Sequence, residues 1–252
     1  MPFRISYRSL QAGLILLTLG MPGYLVARSS GPEQVSGADR LEATALYKQS
    51  LKQGDVEAVR MLLRAAKLNG TDAEIQFRLG YLYHKMNYRE EAIQHYRRTL
   101  EIRTCHKKAL VNLGNLYSDR NETDEARSLY QKAIECAPDF YAGYYNLALI
   151  DSNNRVSLLE KALSLKADHF GSNYLLAKTY YDRDAQRGLK MMEHACALKE
   201  NHPGCLRELG ELYLQAGQKE KARSTLKRAL FLSKHPVERR EIRLKLQSLD
   251  AS

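Results

Sequence analysis

Residues 79–83 read Leu-Gly-Tyr-Leu-Tyr, and similar runs stand at 113–117 (Leu-Gly-Asn-Leu-Tyr) and at 209–213 (Leu-Gly-Glu-Leu-Tyr). The first two runs are 34 residues apart. Further motif residues follow each run at a fixed distance, as Ala92 and Tyr96 follow the run at 79–83. A period of this length is typical of stacked supersecondary units. The recurrence therefore favours a binding protein over an enzyme.

Each unit of the repeat reads as a hairpin of two helices. In residues 107–140, apolar side chains recur at three- and four-residue spacing on both sides of the polar run 121–124. Pro138 ends the unit, because proline cannot continue a helix. We expect Gly114 to let the two helices approach closely and Tyr130 to fill the adjoining gap.

These motif residues resemble the tetratricopeptide repeat family. The matching positions are Leu79, Gly80, Tyr83, Ala92, Tyr96, Leu113, Gly114, Tyr117, Ala126, Tyr130, Ala133, Pro138, Leu209, Gly210, Tyr213, Ala222 and Ala229. The resemblance covers residues 39–250, although the tryptophan usual at the fourth position of a unit is absent throughout. It implies an all-α fold, a right-handed α-solenoid of about six helix hairpins with a C-terminal capping helix, whose first helices line a concave groove.

The chain divides into four regions. Residues 1–28 predict a signal peptide or membrane anchor, and residues 29–38 predict a linker rich in Ser, Gly and Pro. The predicted repeat units are 39–72, 73–106, 107–140, 141–169, 170–202 and 203–236, of which the first is degenerate and the fourth is five residues short. Residues 237–250 predict a charged helix that caps the last unit.

The N-terminal region predicts the location of the protein. Arg4 and Arg8 precede a mostly apolar stretch at 10–26, and no acidic residue occurs before Glu33. This pattern is typical of a signal sequence or of an uncleaved anchor, and the sequence leaves both open. The two arginines predict that the N-terminus lies on the inner side of the membrane and the repeats on its outer side. The repeats would then be exported or anchored on the periplasmic side. A mitochondrial presequence is the alternative.

The net charge of +10 is concentrated near the C-terminus, where residues 219–245 hold ten basic and three acidic side chains. A basic region of this kind can meet a nucleic acid, but the interspersed charges fit a solvated helix face better. Nucleic-acid binding is therefore a second hypothesis, and an export signal argues against it.

The four cysteines stand at 105, 136, 196 and 205. Cys136 and Cys196 fall on apolar helix positions, where we expect small hydrophobic thiols. Cys196 and Cys205 straddle one interhelix turn and can form a disulfide in an oxidising compartment, which the sequence does not decide. His194 and Cys196 point to nearly opposite sides of one helix, so a metal site with His202 and Cys205 is not expected.

No catalytic motif is present in the sequence, which has neither a Gly-rich phosphate loop nor a zinc-protease helix. The acidic pairs Glu90-Glu91 and Asp124-Glu125 lie at the starts of predicted second helices, where they favour the helix dipole. We therefore expect no enzymatic activity and no cofactor.

The resemblance also implies which side chains line the groove. They are Tyr47, Phe77, Arg78, Tyr81, His84, Lys85, Lys108, Asn112, Asn115, Tyr145, Asn146, Leu149, Tyr174, Lys178 and Tyr181. Their tyrosines offer large contact area and a polar tip. Asn112 and Asn146 occupy the same position of successive units, and amides there could hold the main chain of an extended peptide.

The family's clamp for the C-terminal carboxylate of heat-shock chaperones is not expected, because Val111, Gly171 and Leu175 occupy the matching positions. The functional hypothesis is a non-enzymatic scaffold that binds a partner peptide and helps to assemble a membrane-associated or exported complex. Self-assembly, with one copy's groove holding a segment of another, is a further alternative.

Overall fold

The computed structural model describes residues 35–250. The predicted signal peptide or anchor, at 1–28, lies outside the described residues, as does most of the predicted linker. The first helix begins at Gly37, so the last two residues of the predicted linker are helical. Between residues 35 and 250, no helix is long and apolar enough to cross a bilayer.

The described part of the chain is all-helical and contains thirteen helices and no strand. They are α1 (Gly37–Ser50), α2 (Asp55–Leu68), α3 (Ala73–Lys85), α4 (Arg89–Ile102), α5 (Lys107–Ser118), α6 (Thr123–Cys136), α7 (Tyr141–Ile150), α8 (Arg155–Leu165), α9 (Phe170–Tyr181), α10 (Ala185–Leu198), α11 (Pro203–Gln215), α12 (Lys219–Leu232) and α13 (Pro236–Asp250).

The helices pack as consecutive hairpins. From α1 to α12, each odd-numbered helix packs most extensively on the even-numbered helix after it, and each even-numbered helix packs on the next odd-numbered one. The last helix, α13, packs on α12. Contact between neighbours along the chain is the arrangement of a solenoid. The predicted all-α solenoid of helix hairpins with a final capping helix is therefore confirmed.

The hairpin turns of three units share one backbone conformation. Asn87, Asn121 and Gly217 occupy the same place in their units and have φ angles of 65°, 62° and 71°. In the first of these turns, the N–H of Tyr88 donates to the carbonyl of Tyr83 at 2.8 Å, five residues back. A left-handed residue followed by such a bond ends a helix and satisfies one of its last carbonyls.

The fourth unit replaces this turn with side-chain contacts. Its first helix, α7, ends at Ile150, and Asp151 then accepts a hydrogen bond from the N–H of Asn154 at 3.3 Å. Asp151 also pairs with Arg127 of the preceding unit at 3.2 Å. These contacts close the turn although five residues of the usual unit are missing.

The buried core falls into two large clusters. One runs from Ala43 to Leu147, and the other runs from Ala177 to Leu249. A small cluster of Ala148, Leu159 and Leu176 lies between them, in and beside the short fourth unit. We call helices α1–α7 the N-terminal half and helices α9–α13 the C-terminal half.

All four cysteines are disulfide-bonded, one bridge lying in each half. Cys105 is joined to Cys136, and Cys196 is joined to Cys205. The expectation of a small hydrophobic thiol at Cys136 is therefore wrong, and the bridge that the sequence left open between Cys196 and Cys205 is present. Cys105 and Cys136 are 31 residues apart, close to one repeat, so stacking brings the ends of successive units together.

Candidate functional site: the face of the first helices

The predicted groove residues all lie on the first helix of a unit. They are Tyr47 on α1; Phe77, Arg78, Tyr81, His84 and Lys85 on α3; Lys108, Asn112 and Asn115 on α5; Tyr145, Asn146 and Leu149 on α7; and Tyr174, Lys178 and Tyr181 on α9. We call the surface that carries them the first-helix face.

The aromatic members of this face differ in what they contact. Phe77 is half-buried, and its ring lies 4.6 Å from the ring of His106, between centroids. Tyr145 lies 4.7 Å from the ring of His169, and burial raises the pKa of Tyr145. By contrast, Tyr81 is 42% exposed and Leu149 is also exposed. Several predicted contact residues thus pack against their own chain, whereas Tyr81 and Leu149 face solvent.

The three asparagines are each hydrogen-bonded within the chain. Nδ2 of Asn112 donates to the hydroxyl of Tyr96 at 3.1 Å, and Oδ1 of Asn115 accepts from the hydroxyl of Tyr130 at 2.7 Å. Nδ2 of Asn146 donates to the carbonyl of Ala142 at 2.8 Å. An amide has two donor hydrogens and two acceptor lone pairs, so one bond orients each side chain and leaves capacity for a ligand.

Histidines begin three of the first helices, a feature that the sequence analysis missed. Nδ1 of His106 accepts the backbone N–H of Ala109 at 3.1 Å and so caps α5. His169 and His202 cap α9 and α11 in the same way. The sequence contained a signal for these caps, because each of the three histidines immediately precedes the first helix of a unit. Burial lowers the pKa of His106, of His169 and of the predicted groove residue His84.

The C-terminal half of the face carries a network of ion pairs. Glu208 of α11 accepts hydrogen bonds from the hydroxyl of Tyr174, at 3.1 Å, and from the ammonium of Lys178. Arg207 pairs with Glu211 at 2.9 Å, and Lys245 of α13 pairs with the same carboxylate at 3.2 Å. These contacts anchor the capping helix to the last unit.

Glu208 was also missed by the sequence analysis, although it stands at the same place in its unit as Asn112 and Asn146. Burial opposes the ionisation of this carboxyl, but the hydrogen bond and charge of Lys178 hold the pKa of Glu208 below its usual value. Burial, reinforced by Glu208, raises the pKa of Tyr174 to about 12. Tyr174 and Lys178 are therefore committed to contacts within the chain.

The N-terminal half of the face differs from the C-terminal half in how its cations are paired. Lys85 pairs with Asp55 at 2.8 Å. The guanidinium of Arg78 lies 5.3 Å from the ring centroid of Tyr81, and its Nε is buried without a hydrogen-bond partner in the described residues. Lys108 is exposed, and across residues 35–250 neither it nor Arg78 has a carboxylate partner within ion-pair distance.

A cavity of about 510 Å³ adjoins this region. Phe77, His106 and Lys108 line it together with the Cys105–Cys136 bridge. Among the described residues, no group of three or more His, Cys, Asp or Glu could hold a metal ion. The sulfurs of Cys196 and Cys205 are bonded to each other and are not available as thiolate ligands.

The basic C-terminal region is largely occupied by internal contacts. The guanidinium of Arg239 donates to the carbonyls of Leu230 and Ser233, and Arg228 lies 3.8 Å from Glu200. Lys245 belongs to the network at Glu211. These contacts fit a solvated helix face with interspersed charges.

Sequence models of the tetratricopeptide repeat match residues 73–104, 108–140 and 208–234. Tetratricopeptide repeats are therefore present in this chain. The matched segments fall in the three units that carry the strongest motifs. Proteins built from tetratricopeptide repeats generally mediate protein–protein interactions. No curated protein matches the chain in sequence.

Solved structures of other proteins share the fold. PilF of Pseudomonas aeruginosa superposes with a TM-score of 0.71 at 16% identity, covering 82% of this chain and 99% of PilF. YrrB, described as a TPR protein with an unusual peptide-binding site, gives 0.54 at 18% identity over 72% of this chain and 97% of YrrB. Yeast Tom70 gives 0.63 at 14% identity, covering 83% of this chain and 47% of Tom70. These similarities establish the solenoid fold and nothing finer.

Proposed function

We propose that this protein is a non-enzymatic scaffold that binds a segment of a partner protein along its first-helix face. The observation that carries the proposal is the exposure of Tyr81 and Leu149 on a face otherwise built from packed helices. Aromatic side chains at such positions supply large contact area at low entropic cost. The general role of tetratricopeptide repeats in protein association supports the same function, as does the peptide-binding site named for YrrB.

We also propose that the repeats work outside the cytoplasm, exported or anchored in the inner membrane, and help to assemble a complex there. The two disulfides support this location, since disulfides form and persist in oxidising compartments and are rare in the cytosol. The basic and apolar N-terminal pattern supports it independently. A mitochondrial location is the alternative.

Site-specific photo-cross-linking in the intact chain tests the binding face. A benzoyl-phenylalanine at Tyr81 is expected to form an adduct with a partner protein, because this ring is exposed on α3. The matched control carries the same group at Gln94, which is exposed on α4, the second helix of that unit. Equal adducts from both positions, or none from Tyr81, would contradict binding on the first-helix face.

Thiol trapping in the native cell tests the compartment. All four cysteines are expected to resist a maleimide reagent unless the sample is first reduced, because both bridges are formed. Reaction of the cysteines without prior reduction would reject a location in an oxidising space.

A further inference from the structure

Arg78 has an unsatisfied hydrogen-bonding group at the N-terminal half of the first-helix face. Its side chain is half-buried, and its Nε is sheltered from solvent without an acceptor in the described residues. Buried donors without partners are few in folded proteins, and each one calls for an explanation. The two Nη groups of the same guanidinium make no hydrogen bond within the described residues and are not buried, so a bound partner can supply acceptors to them.

The two carboxylates that precede Arg78 most closely in the sequence make other contacts. Glu74, one turn before Arg78, lies 2.8 Å from Arg103. Asp72 accepts the N–H groups of Glu74 and Ile75 as the cap of α3. Neither group neutralises Arg78 in this structure.

Lys108 lies at the start of the next first helix. It is exposed and, like Arg78, has no carboxylate partner in the part of the chain that is described. Tyr81, whose ring lies beside the guanidinium of Arg78, and Asn112, one turn beyond Lys108, belong to the same face. Phe77, next to Arg78 in the chain, and Lys108 line one cavity, which places the two unpaired cations on one stretch of α3 and α5 with an exposed ring and an amide.

From this charge pattern we infer that the stretch around Arg78 and Lys108 binds an acidic, extended segment of the partner protein. The inference rests on the proposed function and names the chemistry of its ligand. A guanidinium can bind a carboxylate through paired N–H donors, and an ammonium adds a second charge. The amide of Asn112 would bond the main chain between acidic side chains, and Tyr81 would cover an adjoining residue.

The surrounding charges favour isolated acidic side chains over a nucleic acid. Asp119 follows α5 and lies near His84 of the first-helix face, and the carboxylates of Glu208 and Glu211 lie on α11, further along the chain. A phosphate backbone carries a charge at every nucleotide and would meet these carboxylates. A peptide can place its acidic residues only where the cations are.

The test measures binding of three amidated twelve-residue peptides to the full chain by fluorescence anisotropy. The peptides share one Ser/Ala/Tyr framework and carry Glu, Gln or Lys at the same alternate positions. We expect the Glu peptide to bind most tightly and the Lys peptide least. Arg78→Gln and Lys108→Gln should each weaken the Glu peptide by about tenfold, the size of one lost charge-assisted hydrogen bond.

Arg98→Gln is the matched control, because it removes an equal charge from α4, the second helix of the unit that contains Arg78, where Arg98 is paired with Glu101. It should change affinity for the Glu peptide by less than about twofold. Circular dichroism of each variant establishes that the fold is retained.

Several results would overturn the inference. These are equal binding of the Glu and Gln peptides, an equal loss in Arg98→Gln, failure of every peptide to bind, or tighter binding of a single-stranded oligonucleotide. A requirement for a free C-terminal carboxylate, shown by the unamidated Glu peptide binding while the amidated one does not, would also overturn it. If Tyr81 cross-links to a partner while these charges have no effect, the proposed function stands and only the acidic ligand is rejected.

Discussion

The N-terminal and C-terminal halves share one construction and differ in the charges of their first-helix face. Each half has its own buried core and one disulfide. In the N-terminal half, Arg78 and Lys108 lack carboxylate partners within the described residues, whereas Lys178 in the C-terminal half is paired with Glu208. Core positions recur because every hairpin must pack on its neighbours. The exposed positions of the face, such as Lys108, do not take part in that packing, so each unit can carry a different charge there.

The largest expected difference between the halves concerns the disulfides. Closing a loop in the unfolded chain stabilises the fold more when the loop is longer, and the two bridges span 31 and 9 residues. Replacing Cys105 and Cys136 by Ala should lower the free energy of unfolding by about 4 kcal/mol, and replacing Cys196 and Cys205 by about 2.5 kcal/mol. Urea unfolding followed by circular dichroism measures both values. The reverse order would show that native packing, and not loop closure, dominates.

A second comparison concerns the glycines at which the two helices of a hairpin lie close together. A Cβ added at Gly114 would lie 2.6 Å from a ring carbon of Tyr130, and one added at Gly210 would lie 2.6 Å from Cγ of Leu226. The Tyr130 ring is rigid and bonded to Asn115, whereas leucine can change rotamer. Gly114→Ala should therefore lower the free energy of unfolding by about 2 kcal/mol, and Gly210→Ala should lower it by about 1 kcal/mol.

Gly37→Ala is the control for this pair of substitutions. Within the described residues, no atom other than those of its chain neighbours and of its own helix backbone lies within 4 Å of a Cβ added there. It should leave the thermal midpoint unchanged or slightly raised, because alanine favours the helix. A loss at Gly37 equal to that at Gly114 would contradict close helix packing as the cause.

A third prediction concerns the histidine cap of α5. Nδ1 of His106 must be unprotonated to accept the N–H of Ala109, and burial holds the pKa of His106 below the value of about 6.5 in an unfolded chain. The nearby carboxylate of Glu74, 3.4 Å from Nε2, opposes this shift. The resulting stability is fully present above about pH 6.5 and decreases as pH falls towards the folded-state pKa.

His106→Asn keeps an acceptor at the cap and removes the titrating group, so we expect the free energy of unfolding to fall less between pH 7 and 5 than in the native chain. Urea unfolding at a series of pH values measures this slope. His194→Asn, at an exposed position of α10, should leave the slope as it is in the native chain. An unchanged slope in His106→Asn would reject the cap as a source of pH dependence.

The smallest expected effect concerns the charges of the two halves. Glu208→Gln removes the carboxylate that binds Tyr174 and Lys178 and should lower the unfolding free energy by about 0.5–1 kcal/mol, since the pair is partly exposed. Lys108→Gln removes an unpaired charge and should change stability by less than about 0.5 kcal/mol. Equal losses from the two variants would abolish the distinction drawn between the halves.

Much of the architecture could be predicted because its signals are local. The spacing of apolar residues predicted the hairpins, and the polar run at 121–124 marked the turn that Asn121 makes through its left-handed conformation. The face to which Tyr81 and Lys108 belong followed from their positions in the unit. Whether these residues bind a partner stays a prediction.

Other features depended on contacts between units and could not be read from local pattern. Cys136 has the spacing of a core residue, and only the stacking of successive units brings Cys105 to it. Phe77 and Tyr81 occupy similar positions by sequence, yet Phe77 packs on His106 while Tyr81 remains exposed.

The sequence by itself determined that this protein is a series of helix hairpins, because helix periodicity and left-handed turn residues act over a few neighbouring residues. Only the tertiary structure decided which cysteines are bonded and which cations, such as Lys178, are paired and which, such as Arg78, are not. The pairs Cys105–Cys136 and Lys178–Glu208 join residues about one repeat apart along the chain, so they depend on how successive units stack in space.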